Sequence, residues 1–276
     1  MLNFLSKIVV IPAVLVLVAC SSGQQETMKE RMAIIDYGLL VNLPEEPISF
    51  SEEIQPILDK RCVVCHGCFD APCQLKLSSH AGITRGVNPQ KVYDGARVRA
   101  ARPTRLHIDA QTDAEWRTMN FSPVLNEGEP GGANNLRNSV LYQMLRLKQL
   151  NPQPRAGLLP SSFDLGLDRD QTCAKPDKFE DFAEEHPLWG MPYAMPNLEE
   201  DDYDTLVQWI AQGAPASPAP ESSPEAVRQI ERWERFLNGA SNKERLMSRY
   251  VYEHLFLGHL HFAGTGDREF YRLIRS

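Results

Sequence analysis

The pentapeptide Cys62-Val63-Val64-Cys65-His66 limits what this chain can fold into more than any other feature. Two thiols three positions apart, followed directly by an imidazole, are the attachment signature of c-type haem. The thiols can reach the two vinyl-derived carbons on one porphyrin edge, and the histidine then lies beneath the iron as an axial ligand. The pattern therefore predicts covalently bound haem c, with Cys62 and Cys65 as attachment residues and His66 as an iron ligand.

Two other interpretations of these cysteines stay open. A zinc site would need a second pair of ligands, which Cys68 and Cys73 could supply. A redox-active C-x-x-C of the thioredoxin type would need a βαβ pattern, which the sequence lacks. Haem is favoured because the chain begins with an export signal, and covalent haem attachment takes place outside the cytosol.

Residues 1–20 are typical of such a signal. Lys7 precedes an apolar run of 12 residues, Ile8–Ala19, which is too short to span a bilayer. The run ends in LVAC (17–20), which is similar to the lipobox of bacterial lipoproteins. An ordinary secretory signal, cleaved after Ala19 or a few residues later, is the alternative. We expect a periplasmic protein anchored to a membrane through a lipidated Cys20.

The second axial ligand of the iron is expected in WGMPYAMPNL (189–198). In many small c-type cytochromes a Met-Pro pair precedes the terminal helix by one or two turns. Met191 stands seven positions before Leu198 and Met195 only three, so the longer lead favours Met191. Met195 is the alternative, as is a distal position that is open or filled by another ligand.

Hydrophobic periodicity predicts a mainly α fold. A short helix runs through Ile54, Ile57 and Leu58 into the cysteines, and another is expected at Ser139–Lys148. The strongest pattern covers Leu198–Gln212, with Asn197 as its N-cap and acids in its first turn. Further helices are expected from Pro224 and, after a capping box of Ser241 and Glu244, through the following apolar positions.

The domain organisation follows from these elements and from composition. A signal peptide (1–20) and a polar tether (21–45) precede a cytochrome c-like haem domain (46–214), which a long loop-rich insertion interrupts at about 80–185. A Pro/Ser-rich linker occupies 215–224. A helical segment follows at 225–276, and we expect it to begin a further domain.

The remaining cysteines do not pair evenly. Without Cys20, Cys62 and Cys65, an odd set of three remains, namely Cys68, Cys73 and Cys173. One disulfide and one free thiol is the simplest arrangement, and both Cys68–Cys73 and Cys73–Cys173 are compatible with the sequence.

Three histidines form a second cluster near the end of the chain, at His254, His259 and His261. On a helix, His254 and His261 would share a face. A metal or second-haem role is possible, but the sequence holds no second C-x-x-C-H, which favours a buried or interface helix. The formal charge of −7, from 29 basic and 36 acidic residues, argues against nucleic-acid binding.

Five stretches together carry a family resemblance, namely RCVVCHGCFDAPCQLKL (61–77), PTRLHIDAQTDAEWR (103–117), FSPVLNE (121–127), WGMPYAMPNL (189–198) and YVYEHLFLGHLHF (250–262). In combination they resemble the fatty-acid cis/trans isomerase family of Gram-negative bacteria. The resemblance implies a periplasmic haem enzyme that converts cis unsaturated acyl chains of membrane lipids to trans under solvent or heat stress. Members of that family continue well beyond position 276, so we expect this chain to correspond to their N-terminal portion.

The resemblance also implies a mechanism and partners. Ferric haem would draw electron density from the double bond, which could then rotate before the electron returns. The expected partners are unsaturated fatty acids or phospholipid acyl chains, the membrane surface, and the cytochrome c maturation machinery that attaches the haem. Two competing hypotheses are a monohaem c-type cytochrome that transfers electrons and a non-catalytic haem sensor or assembly partner.

Overall fold

The fold is seen in a computed structural model, which describes residues 27–35, 37–67, 71–93, 96, 101–102, 104–106, 108–161, 163–166, 172–218, 221–255, 258–266 and 269–273. Within these ranges the chain is mainly helical and forms no strand. Two isolated antiparallel bridges join Val87 to Ser122 and Leu260 to Tyr271. The prediction of a mainly α fold is confirmed, while the cytochrome c-like character of the haem domain stays a prediction.

The helices are α1 (Met28–Ala33), α2 (Tyr37–Val41), α3 (Gln55–Arg61), α4 (Val63–His66), α5 (His80–Arg85), α6 (Asp113–Thr118), α7 (Gly132–Arg137), α8 (Val140–Leu150), α9 (Phe179–Glu185), α10 (Glu200–Ala211), α11 (Pro224–Leu237) and α12 (Asn242–Leu255). A π-helical turn, Phe50–Ile54, leads directly into α3, and short 3-10 turns occupy Pro72–Gln74 and Pro176–Lys178.

Side-chain caps set the start of several helices. The Ser139 hydroxyl accepts a hydrogen bond from the Tyr142 N–H at the start of α8. Ser223 caps α11 in the same way. Ser241 and Glu244 form the reciprocal capping box before α12. These helices are where the sequence predicts them.

Helix α10 begins differently from the prediction. Glu199 is its N-cap residue and makes no side-chain capping bond. The prediction that Asn197 caps this helix is wrong, because its amide Nδ2 donates at 3.1 Å to Oε1 of Gln149 on α8. Asn197 therefore serves a tertiary contact rather than a local one.

The stretch 80–185 contains more helix than its weak periodicity indicated. Besides α8 it holds α5, α6, α7 and α9, each of six or seven residues. A helix of under two turns shows too few apolar positions for its period to be recognised. The described residues of the stretch 80–185 thus form a set of short helices joined by turns.

The main core forms where the turn Phe50–Ile54 packs against α10. The Phe50 and Trp209 rings lie 5.7 Å apart, and Ile54 is fully buried. Leu136 of α7, Leu145 of α8 and Phe182 of α9 belong to the same buried cluster. The cluster joins elements that lie before and after the stretch 80–185 in the chain. One of them is α3, and the haem motif follows directly after that helix.

Part of the segment expected as a tether is structured. Helices α1 and α2 occupy 28–33 and 37–41, and Met28, Met32 and Leu40 pack against the main core. The expected signal peptide, including Cys20, lies outside the described residues. Among the helices of the described ranges, none is both long and apolar enough to cross a bilayer.

Candidate functional site

Cys62 lies between α3 and α4, and Cys65 and His66 are the last two residues of α4. The Cys62 carbonyl accepts hydrogen bonds from the backbone N–H groups of Cys65 at 3.1 Å and His66 at 3.0 Å. Cys62 is a half-buried free thiol and Cys65 an exposed one, whereas His66 is buried. Burial raises the pKa of Cys62 to about 11, so this thiol is protonated at neutral pH. The turn brings all three predicted haem residues together.

The ring of His66 is held in one tautomer. Its Nδ1 lies 3.1 Å from the carbonyl oxygen of Leu75. A carbonyl can only accept a hydrogen bond, so Nδ1 carries a proton in this contact, and in the neutral ring the lone pair is then on Nε2. Metal-binding histidines usually donate their other N–H to such a carbonyl. Leu77 also donates its N–H to the His66 carbonyl at 2.8 Å, so the backbone is held as well.

Arg85, a fully buried arginine, binds the segment that follows the haem motif. Its Nη2 donates to the Gln74 carbonyl, and its Nη1 donates to Thr104 Oγ1 at 2.8 Å. The guanidinium lies 4.9 Å from the centroid of the Phe121 ring and 5.9 Å from that of Trp116. Burial lowers the pKa of Arg85 to about 10, so it stays cationic at neutral pH. No spacing in the sequence pointed to Arg85.

A disulfide joins Cys73 to Cys173, with their Cα atoms 5.7 Å apart. This pairing decides between the two that the sequence allowed. It also removes Cys73 from the second ligand pair that a zinc site would need. Among the described residues, no group of three or more His, Cys, Asp or Glu side chains could hold a metal ion. Cys68 lies outside the described residues.

The loop 189–197 carries both candidate methionine ligands, and each is half-buried. At one end the Met191 N–H donates to the Met144 carbonyl of α8 at 3.0 Å. At the other end, Arg61 Nη2 donates to the carbonyls of Pro196 at 2.7 Å and Asn197 at 3.2 Å. Because Arg61 adjoins Cys62, this contact brings the methionine loop against the haem motif. Which methionine ligates the iron stays a prediction.

The C-terminal histidines do not converge. His254 is exposed on α12, and its Nδ1 contacts the Tyr250 carbonyl at 2.8 Å. His261 lies beyond the end of α12, where its Nδ1 contacts the Glu269 carbonyl at 3.1 Å. His254 and His261 would share a face only on one continuous helix, and α12 ends at Leu255.

A family model described as fatty acid cis/trans isomerase (CTI) matches residues 101–276, which is more than half of the chain. The chain belongs to the fatty acid cis/trans isomerase family. No curated protein and no solved structure matches it. The family resemblance predicted from the five sequence stretches is confirmed.

The isomerase match begins after the haem motif, yet the two regions are joined at three places. Arg61 binds the carbonyls of the loop 189–197. Arg85 binds Thr104 and lies over two aromatic rings of the matched region. Cys73 is disulfide-bonded to Cys173. These contacts hold the haem motif against the region that the family model matches.

The chemistry of the residues around the motif in this family member fits a covalent haem. Two free thiols adjoin a histidine whose lone pair is on Nε2. Close by, the buried Lys148 Nζ and Arg61 Nε have no hydrogen-bond partner among the described residues.

Proposed function

We propose that this chain uses covalently bound haem c to convert cis double bonds in the acyl chains of membrane lipids to trans. Cis/trans isomerisation of fatty acids is the chemistry of the family to which the chain belongs. The contact of Arg61 with Pro196 and Asn197 is the observation that supports a haem-dependent reaction. It joins the residue before Cys62 to a loop inside the matched region.

The cysteines, the histidine and the methionine would each have a separate role toward the haem. A C=C bond rotates only when its bond order falls, and bound ferric haem supplies an electron acceptor for this without net redox change. Cys62 and Cys65 would hold that haem, and His66 would present Nε2 to the iron. Met191, with Met195 as the alternative, would be a second protein ligand of the iron and would tune its reduction potential.

Helices α11 and α12 offer an apolar surface for lipid. They contact each other, and exposed large apolar side chains on these helices and on the segment after them are Val227, Trp233, Phe236, Leu246, Met247, Tyr250, Leu255 and Phe270. Exposed apolar surface is a common mark of membrane or protein contact. The net charge of −7 does not favour anionic headgroups, so membrane contact would come from these side chains and from the lipid on Cys20.

We place the protein in the periplasm. The export signal at 1–20 supports this location. The Cys73–Cys173 disulfide also supports it, because disulfides persist in oxidising compartments. There the cytochrome c maturation machinery would attach the haem, and a role in membrane adaptation to solvent or heat stress would follow.

The test is the trans/cis ratio of membrane fatty acids after solvent challenge, in a host that lacks its own isomerase and expresses this chain. We expect the wild-type protein to raise the ratio and Cys62→Ala/Cys65→Ala to leave it at the background value. Cys68→Ala, which removes a nearby cysteine outside the haem signature, is the matched control and should behave as wild type. Haem peroxidase staining after denaturing electrophoresis reports attachment in each variant.

Two results would contradict the proposal. Absence of covalent haem from the matured wild-type protein would remove the haem dependence. Haem-loaded protein that leaves the ratio unchanged would favour the alternative, a monohaem c-type cytochrome that transfers electrons.

A further inference from the structure

Arg85, the last residue of α5, contacts the segment that supports His66. Its Nη2 donates to the carbonyl of Gln74. The next carbonyl along the chain is that of Leu75, which lies 3.1 Å from Nδ1 of His66 and accepts its hydrogen bond. The two carbonyls belong to consecutive peptide units, which meet at the Cα of Leu75. The direction of the Leu75 carbonyl therefore depends on where the Gln74 carbonyl is held.

The backbone just before Leu75 has a conformation that it would not keep unaided. Cys73 and Gln74 both have positive φ angles, of 53° and 51°. Neither residue is glycine, so this left-handed backbone costs free energy and persists only where the surrounding structure fixes it. Contacts from outside the segment must therefore hold the Gln74 carbonyl in place.

Two of these contacts hold other atoms of the same turn. Gln74 is buried, and its side-chain Nε2 donates to the Gln90 carbonyl at 2.8 Å. The Asn88 N–H donates to the Cys73 carbonyl at 2.8 Å. The Gln74 carbonyl itself receives its hydrogen bond from Arg85. Arg85 thus acts on the peptide unit that directly precedes the one bound to the histidine.

Arg85 is itself fixed on several sides. The residue is 1% exposed, and its Nη1 donates to Thr104 Oγ1 at 2.8 Å. The rings of Trp116 and Phe121 lie next to the guanidinium. Hydrogen bonds from a charged donor are stronger than those from a neutral one. Since Thr104 and both rings belong to the region that the family model matches, Arg85 connects that region to the support of the haem motif.

We propose that Arg85 is a positioning residue for the axial ligand of the haem. By holding the Gln74 carbonyl, it aims the Leu75 carbonyl at Nδ1 of His66, and so sets the plane of the imidazole ring and the strength of its hydrogen bond. This role rests on the proposed function, in which His66 ligates the iron. A histidine that donates its second N–H to a carbonyl is a more basic ligand. Arg85 would thereby favour ferric iron, the form that the proposed reaction uses.

The experiment uses ferric holoprotein with cyanide bound to the iron. Cyanide is linear, so the proton NMR shifts of the four haem methyl groups then report the plane of the His66 ring alone. The exchange rate of the His66 Nδ1 proton with solvent reports the hydrogen bond to Leu75. In the wild type we expect a resolved, slowly exchanging Nδ1 proton. A wild-type proton that exchanges without protection would overturn the proposal before any variant is made.

Arg85→Met should change the haem methyl pattern and speed up exchange of the Nδ1 proton by about tenfold, which corresponds to loss of one ordinary hydrogen bond. Thr104→Val removes the anchor of Nη1 but keeps the charge of Arg85, so it should change both readouts in the same direction and by less. Unchanged readouts in haem-loaded Arg85→Met would overturn the proposal. If Arg85→Met carries no haem, Thr104→Val decides, and wild-type values there would overturn it.

The matched control is Arg117→Met. Arg117 donates to the carbonyls of Arg85 at 2.8 Å and Thr84 at 2.9 Å, and it pairs with Glu127. Its loss removes hydrogen bonds from the same part of the fold without removing a donor to Gln74. We expect wild-type NMR readouts in this variant, and changes equal to those of Arg85→Met would show general loosening and overturn the proposal.

The reduction potential separates positioning from a direct effect of charge. A weaker Nδ1 hydrogen bond makes His66 a poorer donor to the iron, so Arg85→Met should raise the potential. Loss of a nearby positive charge alone would stabilise the ferric form and lower it. A lowered potential with unchanged NMR readouts would overturn positioning in favour of an electrostatic role. Failure of the wild type to carry haem would overturn this inference and the proposed function together, whereas wild-type readouts in a haem-loaded variant would overturn this inference alone.

Discussion

Arg61 donates a hydrogen bond of 2.7 Å to the carbonyl oxygen of Pro196, and this bond joins the haem motif to the methionine loop. A second bond from the same Nη2 reaches Asn197. Arg61→Met removes both and leaves the carbonyls without these donors. A bond from a charged donor contributes about 1.5–3 kcal/mol. Because the two carbonyls share the one Nη2, we expect the free energy of unfolding to fall by about 2–3 kcal/mol in urea titrations.

The matched control is Arg155→Met. Arg155 pairs with Glu199, close to the same loop, but their side chains are 68% and 54% exposed. Exposed ion pairs contribute about 0–1 kcal/mol, so this variant should lose much less stability. Equal losses in the two variants would show that the Arg61 bonds do not hold the loop.

The choice between Met191 and Met195 can be made spectroscopically. Met191 is held on α8 through its backbone N–H, and its longer lead before α10 favours it as the iron ligand. We expect Met191→Ala to abolish the weak red-region absorption band of Met-ligated ferric haem, and Met195→Ala to retain it. The reverse pattern would assign the iron to Met195.

Position 190 requires glycine because there is no space for a Cβ atom, and not because of the backbone conformation. Its missing Cβ would lie 2.3 Å from the Lys148 backbone nitrogen, an atom that cannot move without disturbing α8. Overpacking of this kind costs about 1–3 kcal/mol or more, so Gly190→Ala should lower the unfolding free energy by that amount. Gly266→Ala is the control, since its nearest neighbouring atom would be 3.8 Å away. Similar thermal midpoints for both variants would refute the close packing.

Lys148 makes the stability of haem-free protein depend on pH. Its folded-state pKa of about 8 lies below the ordinary value of 10.5. Between these values the unfolded chain keeps a proton that the folded chain has lost, so the Lys148 contribution to stability rises with pH. Below pH 8 both states are protonated and the burial penalty is constant. Lys148→Met should therefore be more stable than wild type at pH 7, by about 2–3 kcal/mol, with the difference shrinking towards pH 10. A constant difference across this range would contradict the lowered pKa.

The parts of the site that could be predicted are those encoded locally. The haem signature occupies five consecutive residues, and the capping box of Ser241 and Glu244 adjoins α12, the helix that it starts. Arg85 could not be predicted, because its partners Thr104 and Phe121 are brought near only by tertiary folding. The Asn197 error has the same origin, since a residue suited to capping is used by a neighbouring helix.

The Cys73–Cys173 disulfide spans 100 positions, and this separation sets its expected effect. Closing a long loop removes much of the entropy of the unfolded chain, for a stabilisation of about 3–4 kcal/mol. We expect Cys73→Ala/Cys173→Ala to lower the unfolding free energy by that amount in urea titrations of the exported protein. Cys68→Ala is the control and should have a small effect. A bridge between Cys68 and Cys73 would close a loop of only a few residues. Peptide mapping without reduction that recovered that pair would refute the Cys73–Cys173 pairing. A large loss of unfolding free energy in Cys68→Ala would refute it as well.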